Sequence, residues 1–195
     1  MGDVTPTLSN STAQPSWRPG DRRSDRRSDR ASMLRVNQAG EYGATRIYAG
    51  QLAVLRGSSP AAHLVAHMAS QEDRHLARFN VLMAERRVRP TLLQPLWHVG
   101  GYALGAVTAL IGEKAAMACT VAVETEIDLH YAEQLEQLGE DDPEMSADIR
   151  EFQAEEVEHR EIASKAGAAE TPGYPVLTGV IRGICRVAIA VSKRI

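Results

Sequence analysis

The sequence predicts an all-α fold, a bundle of four long helices, and two observations carry that prediction. Apolar residues recur at the three- and four-residue spacing of a helix face through several long segments. The two halves of the chain also repeat one another, because each contains a lone glutamate followed, at nearly the same distance, by a Glu-x-x-His pair. The repeated residues are Glu41, Glu72 and His75 in the first half and Glu124, Glu156 and His159 in the second.

Each predicted helix places its repeated residues in the middle of an inward-facing stripe. The first stripe is Glu41, Ala44, Tyr48 and Leu55, with Leu52 or Gln51 completing it. The others are Val65, Met68, Glu72, His75 and Phe79, then Met117, Val121, Glu124, Asp128 and Tyr131, and finally Ile149, Phe152, Glu156, His159 and Ala163. Residues three or four apart share a helix face, so the six polar side chains are expected to converge on the bundle axis. Glu155 and Glu158 fall beside the fourth stripe, towards its polar flank.

Two short connections mark helix boundaries. Ser59 is the expected N-cap of the second helix, with Pro60 at its first position, and Asp142-Pro143 repeats the device before the fourth helix. The connection between the second and third helices is longer, from about Arg86 to Gly105. Short, long and short connections, with helices that alternately donate a Glu and a Glu-x-x-His pair, are typical of a ferritin-like di-iron or di-manganese bundle with one crossover.

Two apolar segments outside this bundle are expected to form additional amphipathic, membrane-associated helices. The uncharged segment Thr91 to Gly112 approaches the length of a membrane span, but Pro95, polar residues and four glycines interrupt it, so no span is predicted there. The last segment, Val176 to Ile195, mixes apolar residues with arginine and lysine, which predicts a helix lying in a membrane surface. The alternative is that its apolar residues cover the bundle core.

Residues 1–31 are predicted to form a disordered arm, and residues 32–195 the ferritin-like domain. The arm is rich in Pro, Ser, Thr and Gly and includes the Arg/Ser/Asp repeat from Arg22 to Arg30. A transit peptide would be poor in acidic residues, whereas several aspartates occur here. A solvated tail is therefore favoured over a targeting segment, and contact with anionic lipid is a weaker alternative.

Composition agrees with one compact domain. A chain of 195 residues can bury a substantial core. The net charge of -3 argues against a nucleic-acid binder by bulk electrostatics. Cys119 and Cys185 are too few for a disulfide scaffold and are expected to be free thiols in a reducing compartment.

The four carboxylates and two imidazoles predict a dinuclear metal site. A buried charge without a partner is strongly destabilising, and a bound pair of metal ions is the simplest compensation. The alternative is a bundle stabilised by a buried salt-bridge network.

Five segments carry a resemblance to a known family. They are Gly40-Glu41-Tyr42-Gly43-Ala44, Arg46-Ile47-Tyr48-Ala49-Gly50, Arg89-Pro90-Thr91 with Pro95-Leu96-Trp97, Ala118-Cys119-Thr120-Val121-Ala122-Val123-Glu124, and Glu155-Glu156-Val157-Glu158-His159. These residues resemble the Coq7 family, the demethoxyubiquinone hydroxylases of ubiquinone biosynthesis. The resemblance extends from about Leu34 to the C-terminus.

The resemblance implies an O2-dependent di-iron monooxygenase that hydroxylates the ring of a polyprenyl demethoxy-ubiquinol through a peroxo-di-iron oxidant. It implies two iron ions, both bridged by Glu72 and Glu156. Glu41 and His75 would complete one ion, and Glu124 and His159 the other. Reducing equivalents are expected from NADH, although the sequence has no dinucleotide-binding glycine pattern.

Several further residues are expected near the metals. Asp128 lies one turn beyond Glu124 and is predicted to orient a metal-bound histidine, since such histidines donate their second nitrogen to a carboxylate. Tyr48 is predicted beside the ligands, and His130 and Tyr131 are candidate catalytic residues near the reaction chamber. The alternative for the tyrosines is core packing with a satisfied hydroxyl.

A polyprenyl quinone substrate would need an apolar path from lipid to metal, walled by the crossover and the C-terminal helix. The expected location is peripheral, on the cytoplasmic face of a bacterial inner membrane, with the matrix face of the mitochondrial inner membrane as the alternative. Protein partners in ubiquinone biosynthesis and a homo-oligomer stay open, and no nucleic acid is expected. Three other functions compete: an iron-storage ferroxidase, a manganese catalase and a non-enzymatic lipid-binding or scaffold bundle.

Overall fold

The computed structural model describes residues 21–57 and 59–194, and every regular element in these ranges is helical. Six α-helices occur in them, with a short 3-10 helix at Ala168–Glu170. They are α1 (Asp21–Val54), α2 (Pro60–Arg86), α3 (Gln94–Ile111), α4 (Glu113–Leu138), α5 (Pro143–Lys165) and α6 (Tyr174–Ser192). Helices α1, α2, α4 and α5 form the bundle, α3 packs on α1, and α6 packs on α4. The predicted all-α, ferritin-like fold is confirmed.

Side-chain contacts show that α1 and α4 run antiparallel, as do α2 and α5. Rising residue numbers on one helix meet falling numbers on the other. The pairs are Asn37 with Gln134, Glu41 with Tyr131 and Tyr48 with Glu124, and then Arg74 with Glu155, Arg78 with Asp148 and Arg86 with Asp142. Apolar clusters lie at both ends of the bundle, one around Met68 and Met117 and the other around Phe79 and Ile149. The polar residues of the repeat lie between these clusters.

Both predicted helix starts are confirmed. The Ser59 side chain accepts a hydrogen bond from the Ala62 amide at 3.1 Å, and Pro60 begins α2. The Asp142 side chain likewise accepts from the Met145 amide at 3.2 Å at the start of α5. These caps satisfy amides that have no partner within the helix.

The crossover contains a packed helix, α3, and its glycines form the contact with α1. A Cβ atom at Gly105 would collide with the Ile47 carbonyl oxygen, and one at Gly101 would lie 2.9 Å from the Gly43 carbonyl oxygen. The glycines that interrupt the apolar segment in the sequence therefore let two helix backbones touch. Gly112, at φ 149°, then separates α3 from α4 in a conformation that side chains rarely adopt.

The first helix begins earlier than expected. Residues 21–31, predicted to belong to the disordered arm, are helical, so that part of the prediction is wrong. The physical reason lies at the α4–α5 connection, where Arg26 pairs with the Asp141 carboxylate at 3.0 Å and Arg30 donates to the Asp141 carbonyl oxygen at 3.2 Å. Residues 1–20, the rest of the predicted arm, lie outside the described residues.

Helix α6 is the one helix in the described ranges that is long and apolar enough to cross a membrane, by length and composition only. In the structure it lies along the bundle. Its Ile181 is buried, and Arg182 and Arg186 both pair with the buried Glu126 of α4. One face of α6 thus covers the core, as the alternative interpretation of this segment proposed, while its opposite face is exposed.

Candidate metal centre

The six repeated side chains meet in the middle of the bundle, each at most 1% exposed. They form two groups of four, Glu41, Glu72, His75 and Glu156, and Glu72, Glu124, Glu156 and His159. Within each group, one potential ligand atom per residue lies within 4.8 Å of all the others. Because Glu72 and Glu156 belong to both groups, two ions could be held side by side with these carboxylates shared.

Both histidines point the same nitrogen into this cluster. Nδ1 of His75 lies 3.2 Å from Glu156 Oε1 and 3.6 Å from Glu41 Oε2. Nδ1 of His159 lies 3.1 Å from Glu72 Oε1 and 3.1 Å from Glu156 Oε2.

Several buried atoms of the cluster lack a hydrogen-bond partner, including Nδ1 of His75, both carboxylate oxygens of Glu72 and one oxygen each of Glu41 and Glu124. Unpaired polar atoms at such depth are costly. Two divalent cations would satisfy them, and a set of carboxylate and imidazole donors suits iron or manganese. The residues therefore fit a dinuclear centre.

The second nitrogen of each histidine is held by a residue of the opposite half of the repeat. Nε2 of His75 lies 2.9 Å from Glu155 Oε2, and Nε2 of His159 lies 3.0 Å from Gln71 Oε1. Neither residue is predicted from the inward-facing stripes. A signal was present: Gln71 and Glu155 each directly precede the glutamate of a Glu-x-x-His pair, so they are equivalent in the repeat.

Asp128 does not orient either histidine, so that prediction is wrong. Its carboxylate accepts hydrogen bonds from Gln153 at 2.8 Å and from Arg160 at 2.7 Å, on the half-buried surface between α4 and α5. Asp128 is on the expected helix, but its position in the stripe is rotated outward from that of Glu124.

The two predicted tyrosines donate to carboxylates across the bundle. The Tyr48 hydroxyl of α1 donates to Glu124 Oε1 of α4 at 2.6 Å, and the Tyr131 hydroxyl of α4 donates to Glu41 Oε1 of α1. This exchange follows from geometry, because each tyrosine lies two turns after its glutamate and the helices run antiparallel. Burial, followed by the nearby carboxylates, raises the pKa of both hydroxyls, so they remain donors.

His130 does not reach the carboxylates. Its ring lies in a buried amide network, with Nε2 at 2.7 Å from Gln134 Nε2, and Gln134 in turn exchanges hydrogen bonds with Asn37. Burial lowers the pKa of His130 to about 4, with Lys193 acting in the same direction, so the imidazole is neutral near pH 7. The structure thus supports a packing role for His130 rather than the expected place beside the reacting groups.

Burial and mutual repulsion shift the protonation of the cluster. The pKa values of Glu72 and Glu124 lie well above their ordinary range, because burial and then the charge of Glu156 oppose ionisation. Burial also raises the pKa of Glu156 to about 7. Burial alone would lower the pKa of His75, but the neighbouring carboxylates of Glu156 and Glu41 outweigh it and raise the value to about 10. Without metal the cluster therefore retains protons, which ions that bind there must displace.

An apolar groove of about 370 Å³ runs beside the cluster between α1, α3, α4 and α6. Its lining includes Gly40 and Val123, each adjacent in sequence to a ligand glutamate, together with Trp97, Leu104 and Ile184. Both outer helices of the groove also carry exposed apolar stripes. These stripes are Leu96, Val99, Tyr102, Val107, Leu110 and Ile111 on α3 and Val176, Val180, Ile184 and Val187 on α6.

Comparison with known proteins assigns this architecture. The family described as "Ubiquinone biosynthesis protein COQ7" matches residues 28–192 of the chain. The chain belongs to the COQ7 family. The match includes all six residues of the candidate metal cluster and the two outer helices of the groove, α3 and α6.

Individual COQ7-family relatives are similar over most of the chain. The 3-demethoxyubiquinol 3-hydroxylase of Rhodospirillum rubrum is 56% identical over 162 residues, covering 83% of this chain and 76% of the relative. The human NADPH-dependent 3-demethoxyubiquinone 3-hydroxylase, mitochondrial, is 50% identical over 167 residues, covering 84% and 76%. The yeast 5-demethoxyubiquinone hydroxylase, mitochondrial, is 44% identical over 181 residues, covering 84% and 77%. All three are named as hydroxylases, which are oxidoreductases.

Proposed function

We propose that the protein hydroxylates the ring of a polyprenyl demethoxy-ubiquinol in ubiquinone biosynthesis, with two iron ions as cofactor and dioxygen as co-substrate. The observation that carries the proposal is the pair of four-residue groups sharing Glu72 and Glu156, set beside an apolar groove. The names of the relatives supply the reaction: each hydroxylates a demethoxyubiquinol or demethoxyubiquinone.

The residues divide the work of holding the ions. Glu72 and Glu156 would bridge them, Glu41 and His75 would complete one, and Glu124 and His159 the other. When bound, two ferrous ions would supply dioxygen with two electrons together, while the residues of the cluster would hold the ions in place.

The remaining residues orient those ligands. Glu155 and Gln71 fix the ring orientation of the two histidines, and partners of this kind strongly affect metal affinity. Phe152 stacks on His75 with ring centroids 4.1 Å apart, which limits rotation of the imidazole. Tyr48 and Tyr131 stay protonated and hold one oxygen of each lone glutamate, which leaves the other oxygen for metal.

The apolar groove is suited to binding the proposed polyprenyl substrate. An apolar lining accommodates a prenyl chain and excludes water, while Gly40 and Val123 bring the groove up to the ligand-bearing turns of α1 and α4. The exposed stripes on α3 and α6 flank the same groove, and exposed apolar area of this extent is typical of contact with membrane or protein. Peripheral attachment through these stripes would present the groove to a substrate dissolved in lipid.

The location and the reductant follow the relatives only in part. One named relative is bacterial and others are mitochondrial, so the bacterial and mitochondrial inner membranes both stay open. The name of the human relative specifies NADPH, whereas NADH is the reductant that the family resemblance implies. We propose a reduced nicotinamide as the source of electrons, without choosing between the two.

The test is anaerobic loading with ferrous iron, reduction, and addition of a short-chain demethoxyquinol under labelled dioxygen. We expect one labelled oxygen in the ring of the product. Glu156→Ala should abolish labelling, whereas Glu158→Gln, on the same helix but exposed, should retain it. Oxidation of stored iron without a quinol product would contradict the proposal in favour of a ferroxidase. Peroxide disproportionation by the manganese-loaded protein would favour a catalase, and full activity of Glu156→Ala would remove the metal role.

Membrane attachment has a separate test. Val107→Asp with Leu110→Asp places two charges on the exposed stripe of α3. We expect this variant to lose sedimentation with liposomes, whereas Val81→Asp, at an exposed apolar position on α2, should sediment like the unmodified chain. Equal sedimentation of all three proteins would exclude this face as the membrane contact.

A further inference from the structure

One row of side chains on α2 runs from the surface into the metal cluster. His63, His67, Gln71 and His75 are spaced four residues apart. Four residues exceed one helical turn, so each step winds about 40° around the helix axis. The exposure changes accordingly: His63 and His67 are exposed, Gln71 is half-buried, and His75 is buried. All four side chains carry atoms that can bind a divalent cation.

The inner end of this row touches both ligand histidines. Gln71 Oε1 lies 3.0 Å from Nε2 of His159, and Gln71 Nε2 donates to Glu155 Oε2 at 3.2 Å. The same Glu155 oxygen lies 2.9 Å from Nε2 of His75, and the Glu155 side chain is 18% exposed. Gln71 and Glu155 thus connect the surface seam between α2 and α5 to the two imidazoles.

This seam lies away from the apolar groove. The groove is lined by α1, α3, α4 and α6, and no residue of α2 or α5 belongs to its lining. A hydrated cation would be poorly accommodated by apolar walls, because leaving water costs it a large solvation free energy. The α2–α5 seam offers polar donors instead.

The outer two histidines suit the capture of a metal ion. Imidazoles four residues apart lie on one helix face one turn from each other, the arrangement by which helical histidine pairs bind metal. Imidazole is a good ligand for ferrous iron and for other first-row metals. Neither ring has a hydrogen-bond or ion-pair partner in the described ranges, so both are available to a cation.

We propose that His63 and His67 form a surface docking site for a divalent metal ion, and that the row on α2 passes the ion through the Gln71–Glu155 seam to the dinuclear centre. This inference rests on the proposed two-metal centre. Organic substrate and metal would then use opposite sides of the bundle.

The test measures the rate of iron uptake by the full-length, metal-free protein. Ferrous iron at limiting concentration is supplied anaerobically in competition with a chromogenic chelator. For His63→Ala with His67→Ala we expect uptake at least about fivefold slower, because local capture raises the rate at which a cation arrives. The final content should stay at that of the unmodified chain. His98→Ala, which removes an exposed histidine of α3 outside the row, should keep the original rate.

The outcomes separate this inference from the function on which it rests. Iron uptake by the double variant at the original rate would overturn the proposed metal route along α2. Equal slowing of uptake by His98→Ala would overturn it too. If the unmodified chain takes up no buried iron, the two-metal centre itself fails. A lower final content together with an unchanged initial rate would also overturn the docking site, since it would make these histidines part of the storage capacity rather than of the route.

Discussion

Raising the pH from about 7 to about 8.5 should destabilise the metal-free protein, in part through His75. This side chain is fully buried, and the neighbouring carboxylates of Glu156 and Glu41 overcome the effect of burial and raise its pKa to about 10. In the unfolded chain the pKa of histidine is about 6.5. The stabilisation is therefore complete below about pH 6.5 and is lost as the pH rises towards about 10, because only the folded state keeps the proton.

The expected magnitude follows from that one proton. A group protonated only in the folded state costs about 1.4 kcal/mol per pH unit, so His75 alone should lower the free energy of unfolding by about 2 kcal/mol over this range. Glu72 and Glu124, whose pKa values are raised, act in the same direction. His130 and His159 have lowered pKa values and together offset only roughly 0.3 kcal/mol, because even in the unfolded chain only about a quarter of each imidazole is protonated at pH 7.

Urea unfolding followed by circular dichroism at several pH values, with chelator or with ferrous iron, measures this effect. Bound metal needs a deprotonated imidazole, so the decline should disappear in the metal-loaded protein. His75→Gln should reduce the slope of the metal-free protein by about 1.4 kcal/mol per pH unit. Metal-free stability that is constant or rises between pH 7 and 8.5, or an unchanged slope in His75→Gln, would refute the reasoning.

Three other substitutions probe the packing and the ligand contacts. Gly105→Val should lower the free energy of unfolding by about 2 kcal/mol, because the side chain meets the Ile47 backbone. Gly179→Val, which places the same side chain in open space on α6, should change it little, and equal effects would contradict this packing. Glu126→Gln should cost about 1 kcal/mol at pH 7, since its arginine partners are partly exposed. The pKa of Glu126 is lowered, so this difference should vanish as the pH falls well below about 4.5; a loss independent of pH would contradict the ion pairs. Tyr131→Phe should weaken ferrous iron binding about tenfold in chelator competition, and unchanged affinity would show that its hydroxyl does not position the ligand.

Helix phase made much of the fold and the cluster predictable. The spacing of apolar residues identifies the inward face of each bundle helix, and the four-helix order with one crossover follows from the connection lengths. The same phase brings Glu72, His75, Glu156 and His159 to the axis, because they replace apolar residues within a stripe. At the open position of the first stripe, Gln51 is the fully buried residue and donates to the Ala116 carbonyl oxygen.

The partners of the histidines were not predictable from phase alone. Phase gives the direction of a side chain from its own axis, but not the axial offset between two helices. Glu155 lies on the polar flank of α5 and so outside the predicted stripe, but in the packed bundle that flank faces Arg74 and His75 of α2. Asp128 lies on the predicted inward stripe of α4, which is why it is expected to orient a histidine. In the structure its side chain points towards Arg160 instead of the bundle axis.

The helical structure of residues 21–31 is not predictable from the sequence for a related reason. Local composition indicates a solvated segment, but the acceptors for Arg26 and Arg30 lie more than a hundred residues away, at the α4–α5 connection. In the sequence the glycines of α3 likewise indicate only interruptions of an apolar segment. Their role in packing depends on contacts with the backbone of α1, which the sequence does not show. In both cases the deciding contact is remote in sequence.

The backbone contact between α1 and α3 has a mechanical consequence. No side chain separates Gly105 from Ile47 or Gly101 from Gly43, so there is no compressible layer in which one helix could slide or roll over the other. We therefore expect the two helices to move together as one rigid unit. A force on the exposed apolar stripe of α3 would be transmitted directly to α1, the helix that carries Glu41.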